Sequence, residues 1–169
     1  ADTFPASYRD QLFKCNIHQH ELLIDFMQRN GSGYTGRHRS AFLPINDLAW
    51  VGFSLEIGPD GGVYILDWHD TDICGNAINF PQSGRVYRVM PKGAKKIKRP
   101  NLRILSDMEL VKMQNHANDW YVRHARVLLQ SRAASGKMDR EAVHAGLKKM
   151  FGSATTSPKR LRALWALHV

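Results

Sequence analysis

The chain has 169 residues, of which 43% are hydrophobic and 23% charged, a composition typical of a folded soluble domain. This length allows one domain or two small ones. No apolar run approaches the roughly 18 residues that a membrane-spanning helix needs, so the sequence excludes such a helix. The sequence starts with Ala1, shows no signal peptide and ends within an apolar helical pattern. We therefore expect it to be a region of a longer protein.

Charge divides the chain in two. Residues 1–91 contain 7 Lys or Arg and 10 Asp or Glu, net −3, whereas residues 92–169 contain 17 and 5, net +12. The change falls at a basic stretch bounded by prolines, residues 92–100, which predicts a linker. The basic half could face nucleic acid or an anionic membrane, or be a solvated helical surface. The basic run lacks the interleaved aromatics of single-strand binding, so we expect no nucleic-acid partner.

The first half of the chain predicts short antiparallel strands. Five strands are predicted, over residues 12–17, 21–28, 53–57, 63–66 and 84–90. Pro59, Asp60 and Gly61 are typical of a tight turn, because Pro presets φ and Gly accepts a positive φ. Residues 30–33 and 37–47 are predicted to be loops. Short antiparallel strands joined by tight turns are typical of a β-propeller blade or of any β-meander.

After Pro100 the apolar period changes from 2 to 3.6, which predicts four helices. Ser106 and Glu109 match a capping box, and Ser157-Pro158 is a good start for the fourth helix. The predicted inward residues are Leu110, Met113 and Ala117; Val122, Ala125 and Leu129; Val143, Leu147 and Met150; and Leu161, Leu164, Trp165 and His168. Four amphipathic helices with short joints favour hairpins that stack as a HEAT-like solenoid, with a plain helical bundle as the alternative.

Four ionisable side chains follow the fourth predicted strand, namely Asp67, His69, Asp70 and Asp72. Carboxylate oxygens are ligands that calcium prefers, so Asp67, Asp70 and Asp72 are candidate metal ligands. A carboxylate beside a histidine also suits proton abstraction from a hydroxyl group. Asp67, His69 and Asp70 are therefore candidate cofactor-binding residues. The alternative is a solvated acidic loop whose carboxylates cap turns.

Two cysteines allow three interpretations. Cys15, His18, His20 and Cys74 could bind zinc, although their spacing is unusual for such a site. A disulfide between Cys15 and Cys74 would link the first strands to the acidic loop and fit an oxidising compartment. Two free, partly buried thiols are the third interpretation.

Basic and aromatic residues outside these groups have two interpretations each. Arg37, His38 and Arg39 could form an anion pocket or simply a basic loop. Trp50 and Trp68 are interpreted as core or rim aromatics, with a sugar-stacking platform as the alternative.

One run of the sequence resembles a known family. The segments LFKCNIH, GSGY, SLEIGPDGGVYILDWHDTDIC and GRVYRV, followed by LSDMELVKMQNHANDWYVRHARVLLQ and RLRALWAL, are similar to the bacterial membrane-bound dehydrogenases of the glucose/sorbosone-dehydrogenase-like type. The resemblance covers roughly residues 5–169. It implies that residues 1–91 form the last one to one-and-a-half blades of a β-propeller and that residues 101–169 begin a HEAT-like helical array.

The resemblance also implies a function. Related enzymes oxidise sugars or alcohols with pyrroloquinoline quinone and calcium, and they pass electrons to a haem domain with a CxxCH motif. We therefore expect part of a quinone-dependent dehydrogenase in the periplasm, secreted or associated with a membrane. Its partners would be the remaining propeller blades and the haem domain.

Two features depart from the family pattern. Ile73-Cys74-Gly75 stands where the family usually has Glu-Cys-His, and this chain contains no CxxCH. We therefore expect the region to hold no haem. We also expect it to be inactive by itself, because the upstream blades, which in related enzymes supply the catalytic base and most cofactor contacts, are not part of this sequence. The alternative function is a non-catalytic interaction module, because propellers and HEAT arrays are both common binding scaffolds.

Overall fold

The computed structural model describes residues 3–39, 41–72, 77–95 and 98–169. The chain divides into two compact units, residues 1–95 and 96–169, which we call the β unit and the helical unit. The division falls within the predicted linker. Across the described ranges, no helix is long and apolar enough to cross a membrane.

The β unit contains two small antiparallel sheets. Its strands are β1 (Gln11–Asn16), β2 (Glu21–Asn30), β3 (Gly33–His38), β4 (Leu43–Pro44), β5 (Gly52–Ile57), β6 (Val63–Asp67) and β7 (Arg85–Val89). The first sheet has the order β1-β2-β3, with β4 also paired to β2, and the second has the order β5-β6-β7. Leu22 of the first sheet and Ile65 of the second share one core with Trp50, and all three are almost fully buried.

The region between β2 and β4 differs from the prediction of loops. Strand β2 continues to Asn30 and turns back at once into β3, whose residue Gly33 pairs with Asn30. Gly31 permits this turn because its φ is +59°. Every residue of β3 is exposed, so no alternation of apolar and polar side chains marks it as a strand.

The helical unit has α1 (Asp107–Lys112), α2 (Asp119–Ala134), α3 (Arg140–Ser153) and α4 (Ser157–Ala166). The predicted capping box is confirmed: Ser106 Oγ accepts from the Glu109 N–H, and the Glu109 carboxylate accepts from the Ser106 N–H. One core joins these helices and contains Leu110, Tyr121, Ala125, Leu129, Val143, Leu147 and Ala166. Val122 is also fully buried, so the predicted inward residues of α2, Val122, Ala125 and Leu129, are confirmed.

The predicted inward face of α4 is wrong. Leu161, Leu164 and Trp165 are exposed, whereas Ala163 and Ala166 are fully buried. Small side chains let a helix approach its neighbours closely. Arg162 keeps this face of α4 turned inward, because its guanidinium donates hydrogen bonds to the His116 carbonyl oxygen and to Asp119.

The predicted propeller and HEAT-like array are both wrong. A propeller closes a ring of four-stranded blades, whereas the described strands form one sheet of four and one of three around a shared core, with no ring closure. The four helices in the described residues surround one core and do not form a stacked array of repeats. Local patterns specify hairpins and amphipathic helices, but ring closure and stacking depend on long-range packing that they do not encode.

Close packing around β5 predicts that a larger residue at Gly52 destabilises the fold. A Cβ atom at Gly52 would lie 2.2 Å from the ring of buried Trp50. Because this ring cannot move without disturbing the core, we expect Gly52→Ala to lower the free energy of unfolding by about 2 kcal/mol. Urea unfolding measures the change. Gly84→Ala is the control, since its Cβ would make only ordinary contacts at 3.5 Å. Equal stability of the two variants would contradict the packing described.

Candidate functional site

The predicted acidic loop leaves strand β6 and returns to the sheet at strand β7. Asp67 is the last residue of β6, and Arg85 is the first of β7. Asp67 and Asp70 are buried, with 3% and 0% of their surface exposed, and Asp72 is half-buried. At least two of the predicted site residues therefore lie inside the β unit and not on an open surface.

Asp67 joins three segments of the β unit through its carboxylate. Oδ1 accepts hydrogen bonds from the backbone N–H groups of Val51 (2.8 Å) and His69 (2.9 Å). Oδ2 binds the Arg85 guanidinium, with Nε and one Nη nitrogen each 3.0 Å away. Three hydrogen bonds and one further ion-pair contact thus engage both oxygens of this carboxylate.

Asp70 closes the loop on itself. Its Oδ1 accepts from the Asp72 N–H (3.0 Å) and the Asn79 side-chain amide (3.1 Å). Its Oδ2 accepts from the N–H groups of Asn79 (2.9 Å) and Phe80 (3.3 Å). These donors, first of all the Asp72 N–H, lower the pKa of Asp70 from 3.8 to about 2. The carboxylate is therefore ionised at neutral pH and holds Asn79 and Phe80 against the first part of the loop.

His69 lies between a serine and a carboxylate. Its Nδ1 is 2.6 Å from Ser83 Oγ, and its Nε2 is 3.5 Å from Asp47 Oδ2. Such an order of groups can activate a serine nucleophile. However, Ser83 Oγ also lies 3.2 Å and 3.0 Å from the carbonyl oxygens of His69 and Phe80, and Asp47 lies closer to Arg85, at 2.6 Å. We therefore interpret the contacts among Asp47, His69 and Ser83 as structural contacts that hold the loop closed.

His69 also has an unusual backbone conformation. Its φ is +54°, in the left-handed region that few residues other than glycine adopt. The hydrogen bond from its N–H to Asp67 and the contact of its ring with Ser83 hold it there. The strain is thus supported by the same network that holds the loop.

The sequence did not identify four members of this network, namely Asp47, Asn79, Ser83 and Arg85. Arg85 binds both Asp47 and Asp67, and its hydrogen bond is the main cause that lowers the pKa of Asp47. One signal in the sequence could have identified Arg85. An arginine at the start of one predicted strand, opposite an aspartate at the end of the neighbouring strand, favours an ion pair.

The predicted calcium ligands do not fit the ion. Calcium takes six to eight oxygen ligands, whereas N–H groups already occupy the oxygens of Asp67 and Asp70, and Asp72 accepts a hydrogen bond from Ala77 (3.3 Å). Among the residues that the structure describes, no group of three His, Cys, Asp or Glu is arranged to hold a metal ion. We therefore derive no step through calcium or a quinone at Asp67, His69 and Asp70.

The cysteine and histidine candidates are only partly described. Cys15 is a half-buried thiol in β1, and burial raises its pKa. Cys74 lies outside the described residues, so the predicted disulfide stays a prediction. His20 Nδ1 lies 2.8 Å from the Trp50 carbonyl oxygen, whereas His18 is exposed. His20 thus has a structural contact.

Two residues of the predicted anion pocket contact groups of this chain. His38 Nδ1 lies 2.7 Å from Asp25 Oδ1, and Arg39 donates to Gln11 Oε1 at 3.2 Å. Trp50, one of the two candidate sugar-stacking rings, is fully buried in the core. These contacts favour structural roles for all three side chains.

The outer face of the second sheet carries an apolar groove. Leu66 and Val86 lie opposite each other on β6 and β7, and the rings of Phe53 and Trp68 meet edge to face with centroids 6.5 Å apart. The groove has a volume of about 340 Å³. We call it the outer groove, and its apolar lining includes Phe53, Leu66, Trp68, Ile78, Phe80 and Val86. All six of these side chains are exposed.

Replacing Asp70 by asparagine tests its role in holding the loop. A carboxyl group whose pKa is lowered by folding stabilises the fold above its unfolded pKa, and this stabilisation is lost as the pH falls through its folded pKa. The folded value is about 2 and the ordinary value 3.8. We expect Asp70→Asn to be less stable than wild type near neutral pH, and the deficit to shrink as the pH falls from about 4 to about 2. Urea unfolding across this range measures it.

Asp10→Asn is the matched control for that experiment. Asp10 is exposed and has a φ of +55°, which asparagine tolerates well. For this variant, the free energy of unfolding should show no deficit relative to wild type that shrinks as the pH falls. If Asp70→Asn behaves like Asp10→Asn, the structural role of Asp70 is contradicted.

Thermal unfolding tests whether the acidic loop binds the predicted cofactors. A ligand that binds only the folded state raises the unfolding midpoint. Because the oxygens of Asp67 and Asp70 are already bonded, we expect calcium plus pyrroloquinoline quinone to change the midpoint by less than about 1 °C relative to EDTA. A rise of several degrees that disappears in Asp72→Asn would contradict this account of the loop.

Comparisons with known proteins do not add a family to these observations. A scan against protein-family models gave no match. Searches of curated proteins and of solved structures also gave none. The function is therefore inferred from the geometry of the described residues and from the sequence resemblance.

Proposed function

We propose that this chain is a non-catalytic scaffold region of a quinone-dependent sugar or alcohol dehydrogenase, and that its β unit packs through the outer groove on a further β-sheet of that enzyme. The outer groove is the observation that carries the scaffold role. The bonding of Asp67 and Asp70 supports it as well, because both carboxylates hold the fold and neither is open to a substrate.

The size of the outer groove suits an interface. An aromatic side chain presents roughly 200 Å² when open. Phe53, Trp68 and Phe80 are 58%, 51% and 43% exposed, so these three rings alone offer roughly 300 Å² of apolar surface, to which Leu66, Ile78 and Val86 add. Apolar patches of about 300 to 600 Å² on monomeric proteins are often functional, and a standard interface takes about 800 Å² from each partner. We infer that a partner covers this face.

The shape of the outer groove favours a sheet as the partner. It lies on one end of a three-stranded face, and the opposite face of the same sheet already packs on the first sheet. Stacked sheets lie about 10 Å apart and bury such rows of side chains. Arg88 and Tyr64 both bind Asp60, at 2.6 Å and 3.0 Å, and they make the other end of this face polar. The apolar contact is therefore confined to one end.

The sequence resemblance supports the enzyme class. On this proposal the quinone and calcium bind to other residues than Asp67, Asp70 and Asp72, because those carboxylates are used within the fold. The haem domain and the periplasmic, secreted or membrane-associated location stay predictions.

A separate interaction module is the second candidate function. The outer groove also favours this candidate, since it would bind a sheet of an unrelated partner equally well. The two candidates differ in the partner, and a binding measurement with a defined partner separates them.

The binding partner used for the test is the propeller region of a dehydrogenase from the resembling family, produced without the part that resembles this chain. We expect the wild-type chain to bind it in isothermal titration calorimetry. Val86→Lys should weaken binding at least tenfold, because a lysine would place a charge in the centre of the apolar contact.

Tyr34→Lys is the control for that measurement. Tyr34 is exposed on β3 of the other sheet, so this variant adds the same charge to an exposed strand away from the groove. It should bind like wild type. A wild-type chain that fails to bind the propeller region would contradict the dehydrogenase proposal, and equal loss in both variants would contradict the role of the outer groove.

A further inference from the structure

Helix α4 presents an apolar stripe that the helical unit does not cover. Leu161, Leu164 and Trp165 are 42%, 46% and 48% exposed, and His168 continues the stripe by one turn. This spacing of three and four residues is the pattern by which one helix packs on another. The buried side of α4 is a different one, formed by Ala163 and Ala166. The helix therefore has two packing faces, of which only one is used within the unit.

A guanidinium lies beside this stripe. The Arg126 carbon Cζ is 5.5 Å from the centre of the Trp165 ring, a cation–π contact between α2 and α4. The Nε atom of Arg126 is buried, and no atom of the described residues accepts a hydrogen bond from it. Arg126 as a whole is only half-buried, so a partner's carboxylate can reach the terminal nitrogens of its guanidinium and form charge-assisted hydrogen bonds there.

Within the described residues, no carboxylate forms an ion pair with Arg126. Asp119 is the neighbouring acid, and it binds Arg162 at 3.0 Å and Arg123 at 3.4 Å. This carboxylate is thus already bound by two other guanidinium groups. The described residues 98–169 contain 14 Lys or Arg and 5 Asp or Glu, net +9, so the surrounding field also favours an acidic partner.

We propose that Leu161, Leu164, Trp165 and Arg126, which we call the α4 surface, bind an acidic amphipathic helix of a partner protein. Apolar side chains of the partner pack on Leu161 and Leu164. A glutamate or aspartate at the edge of that helix pairs with Arg126 above the Trp165 ring. This inference concerns the helical unit alone and does not depend on the dehydrogenase proposal.

A fluorescent helical peptide of about 18 residues tests the proposal. It carries leucines at helical spacing and glutamates beside them, and a matched peptide carries glutamine in place of each glutamate. We expect the full chain to bind the glutamate peptide at least about fivefold more tightly by fluorescence anisotropy. Arg126→Gln should remove this preference. Leu164→Ser should weaken the binding of both peptides about tenfold.

Two control variants make the same changes elsewhere in the helical unit. Arg140→Gln removes an exposed arginine of α3, and Ile104→Ser removes an exposed apolar side chain before α1. Both should bind the glutamate peptide like wild type. Circular dichroism shows whether each variant is folded.

Three results would overturn the proposal. The first is equal binding of the two peptides by the wild-type chain, or no binding of either. The second is tighter binding of a labelled oligothymidine, which would make the basic surface a nucleic-acid site. The third is a dimer of the chain in sedimentation velocity that Leu164→Ser dissolves, since a second copy would then cover the stripe.

Discussion

The carboxylate of Asp67 is the constraint on which the second sheet depends. It is buried at the end of β6 and binds the N–H groups of Val51 and His69 together with the guanidinium of Arg85. It thereby joins the segment before β5, the start of the acidic loop and the first residue of β7. A buried carboxylate is tolerated only when its lone pairs are satisfied. This requirement explains why the loop is rich in donors and why its acidic residues are not available to a metal ion.

Much of the secondary structure could be predicted from local signals. Where the predictions from sequence failed, the failure has a physical cause. Alternation marked β5, and the capping box marked the start of α1. Strand β3 was missed because it is exposed on both faces and therefore lacks alternation. The face of α4 was wrong because the periodic pattern selects large apolar residues, whereas Ala163 and Ala166 pack inward by being small. The propeller was wrong because hairpins are common to many β-folds.

The sequence drew attention to Asp67 and Asp70 as candidate metal and cofactor ligands, but it did not identify the groups that they bind in the fold. Val51, Asn79 and Arg85 lie 9 to 18 positions away from the carboxylates that they bind. Whether a carboxylate binds a metal ion or backbone N–H groups depends on such long-range contacts. On this account the protein is a scaffold. Its buried carboxylates bind groups of its own fold, and its outer groove and α4 surface expose apolar side chains.

Amide hydrogen exchange without added metal ions tests this account most directly. The central claim is that the two buried carboxylates hold the backbone by themselves. The amide protons of Val51, His69 and Asn79 should then exchange slowly in the presence of EDTA, and Asp67→Asn should accelerate the first two while sparing that of Asn79. Unprotected exchange of these amides that becomes slow only after calcium is added would contradict the account and identify the loop as a metal site.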